Sequence, residues 1–310
     1  MKIHTFDPSS VNPTQWKLDS IVEQLRQSRE ATHNIRHQNR VRELPSREAL
    51  SIIVNALSAV LFPTHYGRPN LTDESIDYFV GDTLNTTLNR LTVQVRRGLQ
   101  FSLTPDQADN ADEAALAQKA HDITREFAAG LPDIRALLVS DVHAAFAGDP
   151  AATSVAEIML CYPGTIAILY YRLAHRLHLL GAQFLARLIA DIAHSLTGID
   201  IHPGAQIGGS FFIDHGTGVV IGETAILGQR VRLYQAVTLG AKRFPADTTG
   251  ALIKGIPRHP IVQDDVVIYA GATILGRITI GAGSTIGGNV WLTQSVPAGS
   301  NVSQAQMCNN

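Results

Sequence analysis

The sequence predicts a helical N-terminal part followed by a left-handed parallel β-helix, an α plus parallel β-helix fold. Three observations carry this. Apolar residues recur at three- and four-residue spacing before residue 197. From residue 197 onward the period becomes six. Strand patterning is scarce in the first part. The expected boundaries are a helical domain over 1–196, a β-helix over 197–300 with a loop insert at 240–260, and a short tail at 301–310.

The helical elements follow from spacing. Pro132 to Ala147 places Ile134, Leu137, Leu138, Val142 and Phe146 on one face. Gly148 stops that helix, and Asp149-Pro150 follows it. Ser46 to Leu61 and Tyr170 to His194 show similar periodicity, and residues 62–75 read as a turn-rich connection. The uncharged run from Ile158 to Tyr171 is 14 residues long and contains Pro163. A membrane span needs about 20 apolar residues, so this run is expected to be a buried or interfacial helix.

The six-residue pattern is explicit. Ile201, Ile207, Ile213 and Val219 form one run. After a two-residue phase shift come Ile221, Leu227, Leu233 and Leu239, and a third run holds Val262, Ile268, Ile274, Ile280, Ile286 and Leu292. The fourth residue after each aliphatic is often small or β-branched, as at Ala205, Thr217, Ala225 and Ala272. Three such repeats make a triangular coil, and each coil stacks its inward aliphatic on the next. The run breaks at GAKRFPADTTGALIKGIPRHP, where a corner loop is expected to form a site wall.

Bulk properties limit the function classes. The 310 residues suffice for two domains and a sizeable core. A net charge of −2 gives no electrostatic reason to expect nucleic acid. The two cysteines, Cys161 and Cys308, offer neither a disulfide framework nor a CxxC metal site. The first residues, MKIHTFDPSS, lack the apolar core of a signal peptide. A soluble cytoplasmic protein, with no membrane partner, is the expectation. No GxSxG, P-loop or strand-borne GxGxxG pattern occurs, which leaves hydrolase and nucleotide readings unsupported.

Reactive groups cluster in GIDIHP (198–203) and FIDHGTG (212–218). Asp200 and His215 lie on neighbouring flanks of the coil, and a carboxylate beside an imidazole makes a general base. His215, beside Asp214 in a glycine-rich run, reads as functional. His202 precedes proline at a corner and reads as a turn cap. His175, His178 and His194 fall on helical patterns and read as packing or surface residues. Asp149 alone reads as a turn residue. His202 and His215 are available to a metal, but no HxxxxH pair lies in the repeats, so no metal is expected.

GIDIHPGAQIGGSFFIDHGTGVVIGETA, with TLGAKR and PRHP beyond it, resembles the serine acetyltransferase family. The resemblance reaches upstream to DVHAAFAGDPA and PGTIAILYYRLAHRL and covers roughly residues 130–300. It implies acetyl transfer from acetyl-CoA to the hydroxyl of L-serine, giving O-acetylserine for cysteine synthesis. Carried over by residue, it implies His215 as general base and Asp200 as its orienting carboxylate. Asp149 and Asp214 would hold the serine, and Arg258 and His259 would bind its carboxylate and hydroxyl region. Acetyl-CoA would lie near Gly240, Ala270 and Gly288, in a groove between subunits.

The resemblance also implies a homo-oligomer, a trimer or dimer of trimers, and L-cysteine as a feedback inhibitor at the serine site. Two features depart from it. The corner loop from Ala241 to Ile256 is long, and the chain ends SNVSQAQMCNN, at Asn310. Relatives with a terminal isoleucine dock it into a sulfhydrylase partner, so that complex is expected to be weak or absent. Two alternatives stay open: an acetyltransferase for another small hydroxyl or amino acceptor, and a β-helical scaffold or metal-dependent lyase.

Overall fold

A computed structural model describes residues 16–32, 36–37, 40–41, 43–103, 107 and 112–304. The tail residues 305–310, including Cys308 and Asn310, lie outside the described residues. The chain divides into two compact units. The first takes in residues 1–44 and 103–111. It holds helix α1 (Leu18–Thr32) and the antiparallel pair β1 (Arg36–His37) and β2 (Arg40–Val41).

The second unit, residues 45–102 and 112–310, carries the remaining helices and the β-helix. Its helices are α2 (Arg47–Leu61), α3 (Pro63–Tyr66), α4 (Asp73–Phe101) and α5 (Glu113–Ala129). They are followed by α6 (Leu131–Gly148), α7 (Val155–Cys161), α8 (Pro163–Leu179) and α9 (Gln183–Thr197). Side-chain caps start several of them. Ser46 accepts from the Ala49 N–H, and Asp112 accepts from those of Ala114 and Ala115.

Two expected single helices are each broken in two. The run from Ile158 to Tyr171 is interrupted at Tyr162, because Pro163 has no N–H to give and takes the first position of α8. The run from Tyr170 to His194 breaks at Gly181, which adopts φ +90° and lets α9 fold back on α8. The connection over 62–75 contains the single turn α3, again begun by a proline.

The β-helix has three parallel faces. The first holds β3 (Asp200–Ile201), β6 (Val220–Ile221), β9 (Thr238–Gly240), β12 (Thr273–Leu275) and β15 (Trp291–Leu292). The second holds β4 (Gln206–Ile207), β7 (Ile226–Leu227), β10 (Ile261–Val262) and β13 (Thr279–Ile280). The third holds β5 (Phe212–Ile213), β8 (Arg232–Leu233), β11 (Val267–Ile268), β14 (Thr285–Ile286) and β16 (Asn301–Val302). Handedness is left, as the repeat predicts.

The registers reproduce the sequence runs. Ile201, Ile221, Leu239, Ile274 and Leu292 stack up the first face. Ile207, Leu227, Val262 and Ile280 stack up the second. All are buried, each contributing roughly 1.5–3 kcal/mol. The two-residue phase shift also has a place. Successive coils advance 18 residues between Val220 and Thr238 but 20 between Asp200 and Val220. The extra pair lies between β5 and β6, in the corner that carries Asp214 and His215. Val219 there takes the inner corner position, and Thr217 is left exposed.

The helices close the open end of this stack. The first coil has no strand beneath it, so its backbone groups need other partners. Arg172 on α8 donates to the carbonyls of Ile207 (2.7 Å) and Gly208 (2.6 Å). Tyr171 donates to Ala205 O at 2.6 Å. On α6, Ser140 Oγ and Asp141 Oδ1 accept from the N–H groups of Ser210 and Phe211. Asp141 and Arg172 pair bidentately at 2.9 and 3.0 Å, both fully buried. One ion pair thus ties two helices to the first coil.

Candidate active site

Two corners of the β-helix hold the polar groups. The first joins the third face to the first. There His215 adopts φ +57°, with Gly216 at +87° and Gly218 at +80°. Left-handed backbone at three of four positions turns the chain sharply. A Cβ on Gly216 would also press on the Ile199 side chain. The turn leaves the His215 side chain 70% exposed and Asp214 nearly buried, with Nδ1 and Oδ1 3.6 Å apart.

Helix α6 delivers a second carboxylate to this corner. Asp149 is its C-terminal cap residue. Its Oδ1 accepts from the Ala151 N–H at 2.8 Å, and its Oδ2 accepts from the Tyr162 hydroxyl. Those hydrogen bonds, chiefly from Tyr162, hold its carboxyl below the usual range, helped by the nearby charges of His215 and Arg232. Conversely, the bond to Asp149 pushes the Tyr162 phenol up to about 12. Close packing makes this possible. A Cβ on Gly148 would collide with Arg232, and one on Gly164 with the Ile213 carbonyl.

The same corner continues along the axis. Tyr234 and Tyr269, one coil apart, stack with centroids 5.0 Å apart and planes at 7°. Gln235 Oε1 is buried without a partner among the described residues. Ala270 and Gly288 follow, joined through the Asn289 N–H to Ala270 O bond at 2.9 Å, and Gly288 is exposed.

The second corner joins the first face to the second. Thr224 organises it: its hydroxyl accepts from the backbone N–H of both Arg258 and His259. His259 Nδ1 accepts from the Thr224 N–H at 3.0 Å, and its ring lies where a Cβ on Gly222 would be. Burial, with help from the Arg258 charge, lowers the His259 imidazole to about 4. Arg258 pairs with Glu223 at 2.6 Å. Burial alone would raise the Glu223 carboxyl, but the Arg258 bond and the neighbouring cations outweigh it. His202 sits here too. Its Nδ1 accepts from the Gly204 N–H at 2.9 Å, and burial lowers it to about 4. The insert forms a small hairpin closed by the Ala246–Leu252 bridge, with Phe244 and Leu252 exposed.

The structure therefore brings Asp149, Asp214 and His215 together, Arg258 and His259 together, and Ala270 and Gly288 together. Among the described residues no ion pair within 4 Å joins Asp200 to His215. Asp200 lies on β3 at the same end of the first face, but among the described residues the carboxylate within 4 Å of His215 is Asp214. Nor does Gly240 join Ala270 and Gly288, because it ends β9 at the opposite edge of that face. His175 packs as expected, stacked on Tyr171 with Nδ1 2.7 Å from Pro203 O. Sequence reasoning passed over Tyr162 and Arg232. Nothing local marks either, since each acts on a residue remote in sequence. No group of three or more metal-donor residues occurs among the described residues.

A stacked six-residue coil with an exposed imidazole at a glycine corner defines a hexapeptide-repeat transferase, and residues 259–294 match the bacterial transferase hexapeptide family model. A curated serine acetyltransferase from Synechococcus elongatus, plasmid-encoded by its name, is 60% identical over 94% of this chain and 92% of its own. Serine acetyltransferase 1 of Entamoeba histolytica, solved with L-cysteine, matches 92% of this chain and 97% of its own at 35% identity, TM-score 0.69. The Neisseria gonorrhoeae enzyme, solved with serine, matches 86% and 98% at 27% identity, TM-score 0.53. The chain belongs to the serine acetyltransferase family.

Proposed function

We propose that this chain transfers the acetyl group of acetyl-CoA to the hydroxyl of L-serine, giving O-acetyl-L-serine for cysteine synthesis. The observation that carries the reading is the His215 corner, where an exposed imidazole meets two carboxylates in a chain of this family. A hydroxyl is a poor nucleophile at neutral pH. His215 takes its proton as the oxygen attacks the thioester carbonyl; the C–S bond then breaks, and the imidazolium gives that proton to the departing CoA thiolate. Asp149 and Asp214 hold the ammonium group, and Arg258 with His259 holds the carboxylate, for which a planar guanidinium is suited. Asp200 serves as orienting carboxylate once the acceptor has settled the His215 ring.

Acetyl-CoA supplies the activated acetyl group. Gln235 Oε1, lacking a partner, fits an amide N–H of its pantetheine arm, and the exposed Gly288 beside Ala270 leaves room for that arm. Gly240 would meet the same donor from a neighbouring protomer. The division at 196/197 assigns the β-helix to chemistry and the helices to delivering Asp149.

The two corners sit at opposite edges of one face, roughly 15–20 Å apart at about 3.3 Å per residue. One serine cannot bridge that span, so His215 of one protomer works with Arg258 of another, in a trimer or a dimer of trimers. L-cysteine, an amino acid of serine's shape, competes at the same place. No helix among the described residues is long and apolar enough to cross a membrane, and a cytoplasmic setting fits this reading.

Arg258→Ala is expected to raise the serine KM about 10- to 100-fold, the worth of a charge-assisted hydrogen bond. Co-expressing it with His215→Ala tests the shared site. At low serine, hybrids should regain about a quarter of the sites, because each site draws its two halves from different protomers. Hybrids no more active than the separate variants would overturn the shared site.

A further inference from the structure

We propose that Tyr162 is a positioning residue that sets the acceptor specificity of the His215 corner, by holding the Asp149 carboxylate in the one orientation that receives an ammonium group. The inference rests on the reading above, which gives Asp149 that task, and extends it to a residue not yet assigned any.

Each Asp149 oxygen has its own donor. The Ala151 N–H takes Oδ1 and the Tyr162 hydroxyl takes Oδ2. A carboxylate held at both oxygens cannot rotate, and its remaining lone pairs have a fixed direction. The Tyr162 donor is itself fixed. Its N–H bonds to Ile158 O, closing α7, while Pro163 opens α8 directly after it. Gly164 then lies against the Ile213 carbonyl, one residue before Asp214. The bridge therefore spans thirteen residues and is anchored to the corner it serves.

Electrostatics agree with the geometry. The Tyr162 phenol feels the charges of Asp149, Glu157 and Asp214, and Asp149 feels those of His215, Arg232 and Glu157. The negative charge of Asp149, Glu157 and Asp214 near the phenol favours a positively charged acceptor group. The phenol keeps its proton there and donates it in a hydrogen bond to Asp149. Phenylalanine would fill the same space and leave Asp149 free to turn.

The test compares the full-length wild type, Tyr162→Phe, Asp149→Asn and the double variant. Each is measured for kcat, for KM of serine and of acetyl-CoA, and for the competitive Ki of 3-hydroxypropanoate, which is serine without its ammonium group. Tyr162→Phe should raise the serine KM about tenfold, the worth of one charge-assisted hydrogen bond. The change should fall on KM rather than kcat, and the acetyl-CoA KM and the 3-hydroxypropanoate Ki should stay put. Asp149→Asn should raise the serine KM at least as far, and adding Tyr162→Phe should do little more. An unchanged serine KM in Tyr162→Phe, with Asp149→Asn still impaired, would overturn the inference alone. So would an equal loss of 3-hydroxypropanoate binding, or additive effects in the double variant. An unchanged serine KM in Asp149→Asn would overturn the ammonium assignment, and the inference with it.

Discussion

His215→Ala lowers the kcat for serine acetylation by about 10²–10⁴, the usual worth of a positioned general base. The side chain is exposed, so its removal leaves no cavity, though alanine is less at ease than histidine at the left-handed φ of this position. Acetyl-CoA binding should persist, because the donor site proposed above uses Gln235, Ala270 and Gly288 instead. Steady-state kinetics and equilibrium binding on one preparation check both halves. A variant that keeps normal turnover would remove His215 from the mechanism. One that loses acetyl-CoA binding would move it from base to binding residue.

Asp141→Ala is expected to destabilise the protein by about 3–5 kcal/mol, because it leaves the buried Arg172 guanidinium unpaired. The Phe211 N–H loses its acceptor in the same step. An apparent melting temperature lower by on the order of 10 °C should result. The loss reaches the site as well, since Asp149 lies on the same helix, two turns further on. Surviving activity should therefore show a raised serine KM. Thermal melting of Asp141→Ala beside Asp133→Ala checks the size of the effect, because Asp133 lies exposed in the first turn of the same helix. Equal melting of the two variants would show that the latch does not hold the first coil.

The β-helix was legible because its repeat is local and periodic. Each inward aliphatic recurs at a fixed step, so the ladder from Ile201 through Ile221 to Leu239 follows from spacing alone. Even the two-residue phase shift was visible, and it marks the corner where His215 sits. The helix breaks at Tyr162 and Gly181 were harder. Apolar spacing runs straight through both, and only the missing N–H of Pro163 and the left-handed φ of Gly181 interrupt the backbone. The site was half legible. Asp214-His215 and Arg258-His259 stand out as polar pairs within the repeat. Asp149 needed the resemblance, because its corner lies 65 residues away in sequence. Tyr162, Arg232 and the Asp141–Arg172 latch have no periodic signature, since each joins elements that only the packed helices bring together. Asp200 was legible from its repeat spacing to His215, and among the described residues no ion pair within 4 Å joins the two; Gly240, placed by the resemblance, lies at the opposite edge of the first face from Ala270.

The central claim is that the polar corners make this β-helix act on serine. The direct measurement is acetyl-CoA-dependent thiol release by the purified full-length chain, run against L-serine, D-serine, L-threonine, ethanolamine and a hexosamine, with the product identified by mass. Saturable release with L-serine, yielding O-acetylserine and far exceeding the rest of the panel, is the predicted result. Release that ignores serine, or that is faster with ethanolamine or the hexosamine, which lack its carboxylate, would contradict it.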